Sequence, residues 1–460
     1  MLFSISLLAY PDPKELRKRR VYEIVSDRFA GTSQSKCESS EEKKQYCGGD
    51  FKGITSHLDY IKNLGYNAIS LSPTIQQVDS NYSFRGYWPA DFYSTNPHFG
   101  TDQDLKDLVK TAHSMDILVL AHVQFNSVGL CDENIPDNFS CIKTFPHAEY
   151  YHENYDCYEH ERNLCRMNGL PDLNQSHPFV RAELLNWSKY YQQEFNFDGF
   201  RFSGYYDLDE SFLKELGKET PWFVIADVDN WDHWQKEREG QFSNVYNYYL
   251  HTTLKLVFSE SQNSMTLLSQ PFSAAMEELG DDANGLGIYL DNAETQRILQ
   301  NINGDKALFK NLIILLHTWI GIPFLTYGTE QEIGLDSIFE LEPLWNKNPE
   351  FIQTSEYYQL IKKLNELRDK TKIHQLDQRE LESSDQFYTY ARGNQILVAL
   401  TNVGNTDSNI NIKILNSPFE KNTRICDILS DLCINVNNDE SVDINLIDGQ
   451  PRVFVRYDMI

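Results

Sequence analysis

Short apolar runs separated by helix-length stretches constrain this chain more than any other feature. Ile69-Ser70-Leu71-Ser72, Ile117-Leu118-Val119-Leu120, Gly199-Phe200-Arg201-Phe202 and Phe223-Val224-Ile225 are the runs, and Ile54 to Leu64, Thr101 to His113 and Val180 to Glu194 are stretches of helix length. Such runs suit buried strands, and strands that alternate with helices require crossover connections, which makes neighbouring strands parallel. Over 460 residues the economical answer is a (β/α)₈ TIM barrel with an appended domain.

The pattern is interrupted once and then replaced. Between about Gln124 and Asp172 the sequence turns to Cys, Asn, His and Tyr without a steady period, which marks an irregular insertion after the third strand. From about His374 the period becomes two, as in Phe387-Tyr388-Thr389-Tyr390-Ala391 and Gln395-Ile396-Leu397-Val398-Ala399-Leu400, and this predicts an antiparallel β-sandwich. The expected divisions are a signal or linker segment at 1–20, a barrel over 21–123 and 173–373, an inserted subdomain at 124–172 and a β domain at 374–460.

Charge and cysteine usage narrow the partners. A net charge of -26, spread along the chain, argues against nucleic acid and anionic membrane surfaces, which need a concentrated basic face. The basic run Arg17-Lys18-Arg19-Arg20 reads as a solvated linker or as a processing site. Cys37 with Cys47, Cys131 with Cys141, Cys157 with Cys165 and Cys426 with Cys433 lie close in sequence without C-x-x-C spacing, so disulfides closing short loops are expected rather than zinc sites. Sequons begin at Asn81, Asn138, Asn174 and Asn186, and Met1 to Ala9 has the apolar half of a signal peptide without its basic start. Together these predict a secreted or secretory-pathway, disulfide-bonded glycoprotein with no membrane span in this chain.

Several motifs occur in a telling order. Val21-Tyr22-Glu23-Ile24-Val25-Ser26-Asp27-Arg28-Phe29-Ala30 is followed by Tyr46-Cys47-Gly48-Gly49-Asp50-Phe51, Leu58-Asp59-Tyr60-Ile61-Lys62-Asn63-Leu64-Gly65-Tyr66, Gly86-Tyr87-Trp88-Pro89-Ala90-Asp91-Phe92-Tyr93 and Phe99-Gly100-Thr101. In this order they resemble the α-amylase family of glycoside hydrolases, with the fungal type nearest, from about Val21 to the C-terminus. The resemblance implies chemistry at the C-terminal ends of barrel strands, with a carboxylate nucleophile and a carboxyl acid/base.

The motifs that should carry this chemistry are altered. The nucleophile strand reads Phe197-Asp198-Gly199-Phe200-Arg201-Phe202-Ser203, with Ser203 where the family has aspartate, and no Ser-His-Asp arrangement is evident to activate that hydroxyl. The acid/base motif is Ala226-Asp227-Val228, one methylene short of glutamate, and the third-carboxylate motif is Asn292-Ala293-Glu294, one methylene long. Ala121-His122-Val123-Gln124-Phe125-Asn126 lacks the family's aspartate, calcium-binding asparagine and histidine, and Arg85 replaces a sugar-binding histidine. A lone histidine such as His122 reads as a structural residue.

What remains suggests binding. Tyr87, Trp88 and Arg201 are the expected substrate-binding residues, and Tyr327-Gly328-Thr329-Glu330-Gln331 resembles another active-site neighbour. No cofactor is expected; should the family's calcium persist, Asp172 and Asp207 are its ligands. The main expectation is therefore a pseudoenzyme with no catalytic residue, acting by binding an oligosaccharide or a protein. Its alternative is an active or altered hydrolase or transglycosylase on α-glucans that uses Asp227 and Glu294, and a further alternative is a non-catalytic assembly subunit.

Overall fold

The computed structural model describes residues 12–35, 37–132, 134–153, 162–166, 169–228, 242, 244–259, 263–334, 341–347 and 349–459. Eight strands form the parallel sheet: β1 Val21–Ile24, β2 Ala68–Leu71, β3 Leu118–Gln124, β4 Gly199–Ser203, β5 Phe223–Ala226, β6 Asn244–Val245, β7 Gly287–Tyr289 and β8 Ile322–Thr326. Their order, β6-β5-β4-β3-β2-β1-β8-β7, is that of a nearly closed (β/α)₈ barrel. β1, β4, β5 and β8 are buried along their whole length, as strands covered on both faces must be.

The chain divides into two compact units, the first holding β1 to β6 and the second holding β7, β8 and all that follows. In the first, the helix after the second strand, α1 (Asp102–Ser114), starts with a capping box in which Thr101 and Asp104 satisfy each other's backbone donors. It buries Leu105, Leu108, Val109 and Ala112, the spacing of a single helical face. Helix α2 (Pro178–Phe195) has proline at its start and ends on Asn196 in the left-handed conformation. Asp198 then ties the start of β4 to β3, its Oδ2 accepting from the Val119 amide at 2.7 Å. Gly199 follows because a Cβ there would stand 2.4 Å from the Phe223 carbonyl oxygen on β5.

Alternation along β4 separates a packing face from a polar face. Phe200 packs edge-on against Trp222, and Phe202 lies 5.3 Å from Phe125, whose ring also meets Trp187 and Phe212. Arg201 and Ser203 consequently point the other way. Between β3 and α2 the described residues form turns and short 3₁₀ segments such as Ala148–Tyr150 and Arg162–Leu164. The disulfides Cys37–Cys47, Cys131–Cys141 and Cys426–Cys433 form as the spacings implied. Cys157 of the remaining pair lies outside the described residues, as does the whole apolar stretch from Met1 to Ala9.

In the second unit, strands β9 (Gln378–Ser383), β10 (Phe387–Arg392), β11 (Ile396–Thr401), β13 (Arg424–Asp427), β14 (Cys433–Asn435) and β16 (Arg452–Arg456) form an antiparallel sheet in the order β9-β10-β11-β16-β13-β14. β12 (Asn409–Ile414) and β15 (Val442–Ile447) pair as a second, two-stranded sheet. Leu397, Ile412, Ile414, Ile425, Ile444, Leu446 and Phe454 join in its core.

Candidate active site

Strand register assembles the polar residues of the first unit. On β3 and β4, His122 is paired with Arg201 and Gln124 with Ser203, while Asp227 follows β5 directly and its amide donates to the Phe202 carbonyl at 2.8 Å. Ser203 and Asp227 thus stand at C-terminal strand ends, the edge of a barrel where side chains from several strands converge.

Arg201 is the hub. Its Nη2 donates to Asp227 Oδ2 at 2.9 Å, its Nε lies 3.5 Å from Glu23 Oε1, and its Nη1 lies 3.0 Å from His122 Nδ1. The Tyr246 hydroxyl donates to Glu23 at 3.2 Å, and the guanidinium sits 5.7 Å above the Tyr246 ring. All these side chains are buried. Burial, reinforced by the Glu23 charge, pushes the Tyr246 phenol well above its ordinary range.

Ser203 has a histidine partner on the neighbouring strand, though not one that activates it. His122 Nε2 lies 2.8 Å from Ser203 Oγ. Both ring nitrogens of His122 are thus satisfied, the second by Arg201. Burial first, and then the Arg201 charge, hold its imidazole neutral by lowering its pKa well below 6.5. A guanidinium has no acceptor, so Nδ1 must receive the hydrogen bond from Arg201 and the ring proton must be on Nε2. His122 therefore donates to Ser203 and cannot take its proton. The pair is not a nucleophilic serine with its base.

The other expected sugar-contacting residues divide. Tyr87 joins the cluster, its ring edge-to-face with His122 at 5.8 Å and overlaid by Arg85 at 5.5 Å. Trp88 is partly exposed, and its amide donates to Gln77 Oε1 at 2.7 Å. The Tyr327 to Gln331 segment serves the scaffold instead: Glu330 is fully buried and accepts from the Tyr60 hydroxyl at 2.8 Å, and Gln331 Nε2 also meets that hydroxyl at 2.7 Å. Glu294 lies in the second unit on a turn after β7, where Asn292 Oδ1 accepts from the Glu294 amide at 2.9 Å. Asp291 braces that turn by accepting from Arg297 and from the Ile298 amide.

The expected calcium ligands share one neighbourhood. Asp172 is wholly buried, and its Oδ2 meets His152 Nδ1 at 2.6 Å while its Oδ1 has no hydrogen-bond partner among the described residues. Its pKa rises to about 7, chiefly through burial and also through the Asp207 charge, against the His152 contact. The Asn126 amide nitrogen donates to the Asp207 backbone oxygen at 2.8 Å, and its own buried Oδ1 has no partner among the described residues. Phe125, at the family's asparagine position, is buried among aromatic rings. The buried acceptor oxygens of Asp172 and Asn126, with the Asp207 carboxylate nearby, fit a hard cation in donor type.

Comparison with known proteins gives these residues a family. Residues 23–243 match the model of the alpha amylase catalytic domain, and residues 382–460 match that of alpha-amylase domain C. The alpha-amylase of Saccharomycopsis fibuligera is 27% identical over 99% of this chain and 97% of its own length. Alpha-amylase 1 of Schwanniomyces occidentalis is 27% identical over 95% and 89% respectively. An alpha-amylase structure from Malbranchea cinnamomea superposes with a TM-score of 0.90 at 24% identity, covering 97% of this chain and 98% of that one. An alpha-amylase from Geobacillus thermoleovorans, complexed with acarbose, has a TM-score of 0.82 at 25% identity over 96% and 98%.

These matches overturn the expectation of a pseudoenzyme that acts by binding alone. That expectation rested on the joint alteration of the motifs at Ser203, Asp227, Ala293-Glu294 and Ala121 to Asn126, whereas the relatives matched over nearly the whole chain are alpha-amylases, which are enzymes. Among the described residues no helix is long and apolar enough to cross a membrane. The chain belongs to the alpha-amylase family.

Proposed function

We propose that this protein is a secreted glycoside hydrolase acting on α-glucans, with Asp227 and Glu294 as its working carboxyl groups. The observation that carries the reading is the carboxylate of Asp227 at the end of β5, fixed through Oδ2 by Arg201. A carboxyl group at this edge of a barrel is placed for proton transfer to a glycosidic oxygen. Asp227 and Glu294, the latter just beyond the end of β7, are the two carboxyl groups that glycoside hydrolysis requires. Tyr87 and Trp88 offer aromatic faces to the sugar rings. The sequons and paired cysteines support passage through the secretory route.

The test is release of reducing ends from maltooligosaccharides and soluble starch by the purified protein. Asp227→Ala and Glu294→Gln are each expected to lower turnover by at least about 100-fold while the protein stays folded. Turnover by neither wild type nor any other preparation of folded protein, across a panel of α-glucans, would sink the reading.

A calcium ion belongs to the same proposal. Asp172, Asp207 and Asn126 would hold it, and its role would be to brace the loops around β3 and β4 by neutralising buried carboxylates. A chelator is expected to lower the melting temperature and added calcium to restore it. An unchanged melting temperature in both steps would remove the ion from the account.

A further inference from the structure

We propose that the outer face of helix α2 is a second binding surface for an α-glucan strand, built from two aromatic pairs in line and separate from the barrel-edge site. The inference rests on the reading of the substrate as an α-glucan, and adds to it a place where the polymer is held rather than cut.

The surface follows from helix geometry. At about 100° per residue, positions 179, 183, 186 and 190 of α2 fall within about 60° of one another. Val180, Leu184, Trp187 and Tyr191 take the buried face, so Phe179, Glu183, Asn186 and Tyr190 form a stripe that is partly or fully exposed. At one end Phe179, 43% exposed, stacks on Tyr150 with ring centroids 5.0 Å apart and planes 24° from parallel. The buried Phe145 ring backs both at 6.3 Å. At the other end Tyr190 meets Tyr93, 39% exposed on the strand Pro89–Thr95, at 5.0 Å. The step from Phe179 to Tyr190 is about 16 Å along the helix axis. Between the pairs lie the Glu183 carboxylate, which accepts from the Tyr93 hydroxyl at 2.7 Å, and the exposed Asn186 amide. All six residues belong to the first compact unit.

The make-up of the stripe selects its occupant. A pyranose has apolar C–H faces and a rim of hydroxyls, so it is matched by aromatic faces with hydrogen-bonding groups between them. An α-glucan repeats that pattern along its length, and one strand can engage both pairs at once. The net charge of -26 opposes an anionic ligand and a second copy of this chain. A protein partner would need a wider surface. Aromatic side chains bury about 150–250 Å² each, so the exposed parts of Phe179 and Tyr93 offer on the order of 200 Å² at most, against about 800 Å² from each partner in a stable interface. The sequon at Asn186 is not presented by the folded chain, because Ser188 is fully buried and its hydroxyl donates to the Leu184 carbonyl at 2.8 Å.

Depletion of the purified protein from solution by insoluble starch tests this, measured in an Asp227→Ala background so that nothing is cut. Phe179→Ala and Tyr93→Ala are each expected to weaken retention about tenfold. The double variant should keep only what the barrel-edge site holds, since the two pairs are far enough apart to contribute independently. Phe179→Trp preserves an aromatic face and should retain wild-type binding. With Asp227 intact, turnover of maltotriose should be unchanged in both single variants, because the rings lie away from the strand ends. Undiminished retention in the double variant would overturn the inference and leave the hydrolytic reading standing. Starch held through these rings by a protein that cleaves no α-glucan would support the inference and remove the hydrolytic reading instead. Two further results would overturn it: a dimer in sedimentation that Phe179→Ala dissociates, which gives the face to a second copy, and a glycan on Asn186 in the secreted protein, which would cover the stripe.

Discussion

At the scale of the residue, Arg201 does what no other cation could do in its place. Its planar fork reaches Asp227 through Nη2, His122 through Nη1 and Glu23 through Nε, three directions that a single ammonium could not serve with the same geometry. With it removed, Glu23 and Asp227 would remain as buried carboxylates without their cation. Arg201→Met is expected to cost about 3–5 kcal/mol of stability, the range found when one partner of a buried ion pair is deleted. Chemical denaturation would measure it, and a loss below about 1 kcal/mol would show that the cluster is held together by other contacts. Motif register made Ser203, Asp227 and Arg201 legible in the sequence, because each falls within a recognisable string. His122 was not legible, since its partner lies 81 residues away. Its tautomer depends on a third residue from the same neighbouring strand. The one available signal was strand alternation, which sets positions 122 and 201 side by side once the β3 and β4 register is known.

At the scale of the element, the single-turn helix Ser26–Phe29 after β1 shows burial outweighing favourable contacts. Asp27 accepts from the Cys47 amide at 2.8 Å and the Gly48 amide at 3.1 Å, and Arg28 Nε lies 3.1 Å away. Even so, complete burial raises its pKa from 3.8 to about 6, since desolvation exceeds the help of the cation and the amides. Between those two values the folded protein holds more of this proton than the unfolded chain does. The Asp27 contribution to stability is therefore present in acid and declines as pH rises through that window. Denaturant midpoints measured from pH 4 to pH 7 should show a component of that sign, and Asp27→Asn should remove it. An identical pH profile in the variant would mean that Asp27 ionises as it does in water. Elements were read from the sequence in proportion to their length and regularity. α1 announces itself by a cap and a single apolar face, whereas β6 has two residues and β7 has three, too few for any period to appear. Phe125 was read by its place in a ligand motif and is instead part of the packing behind β4.

At the scale of the whole molecule, the C-terminal β domain and the helix between β7 and β8 are one cooperative piece of the second unit. Helix α3 (Lys306–Thr318) is buried on nearly every side, which a helix covering only a barrel would not be. Asn311 Oδ1 accepts from the Thr401 amide at 2.8 Å, and its Nδ2 donates to the Gly449 carbonyl at 2.9 Å. Arg392, completely enclosed, donates to the carbonyls of Thr318, Ile373 and Leu376 at 2.7, 2.8 and 2.8 Å. Burial lowers its pKa to about 10, so the cation survives at neutral pH. Arg392→Leu would leave three enclosed carbonyls without that donor, and each such loss costs about 1–3 kcal/mol. A fall in stability of about 3 kcal/mol or more is expected, seen as a lower melting temperature. Truncation before Gln378 should be worse, because it also strips Tyr388 and Tyr390 from Trp319 and exposes the α3 face that the strands cover. The shortened chain is expected to be insoluble or to unfold without a cooperative transition. A soluble, cooperatively melting product ending at residue 377 would show that the β domain is an independent appendage, and the buried Arg392 contacts would then have to be assigned a role other than holding the second unit together.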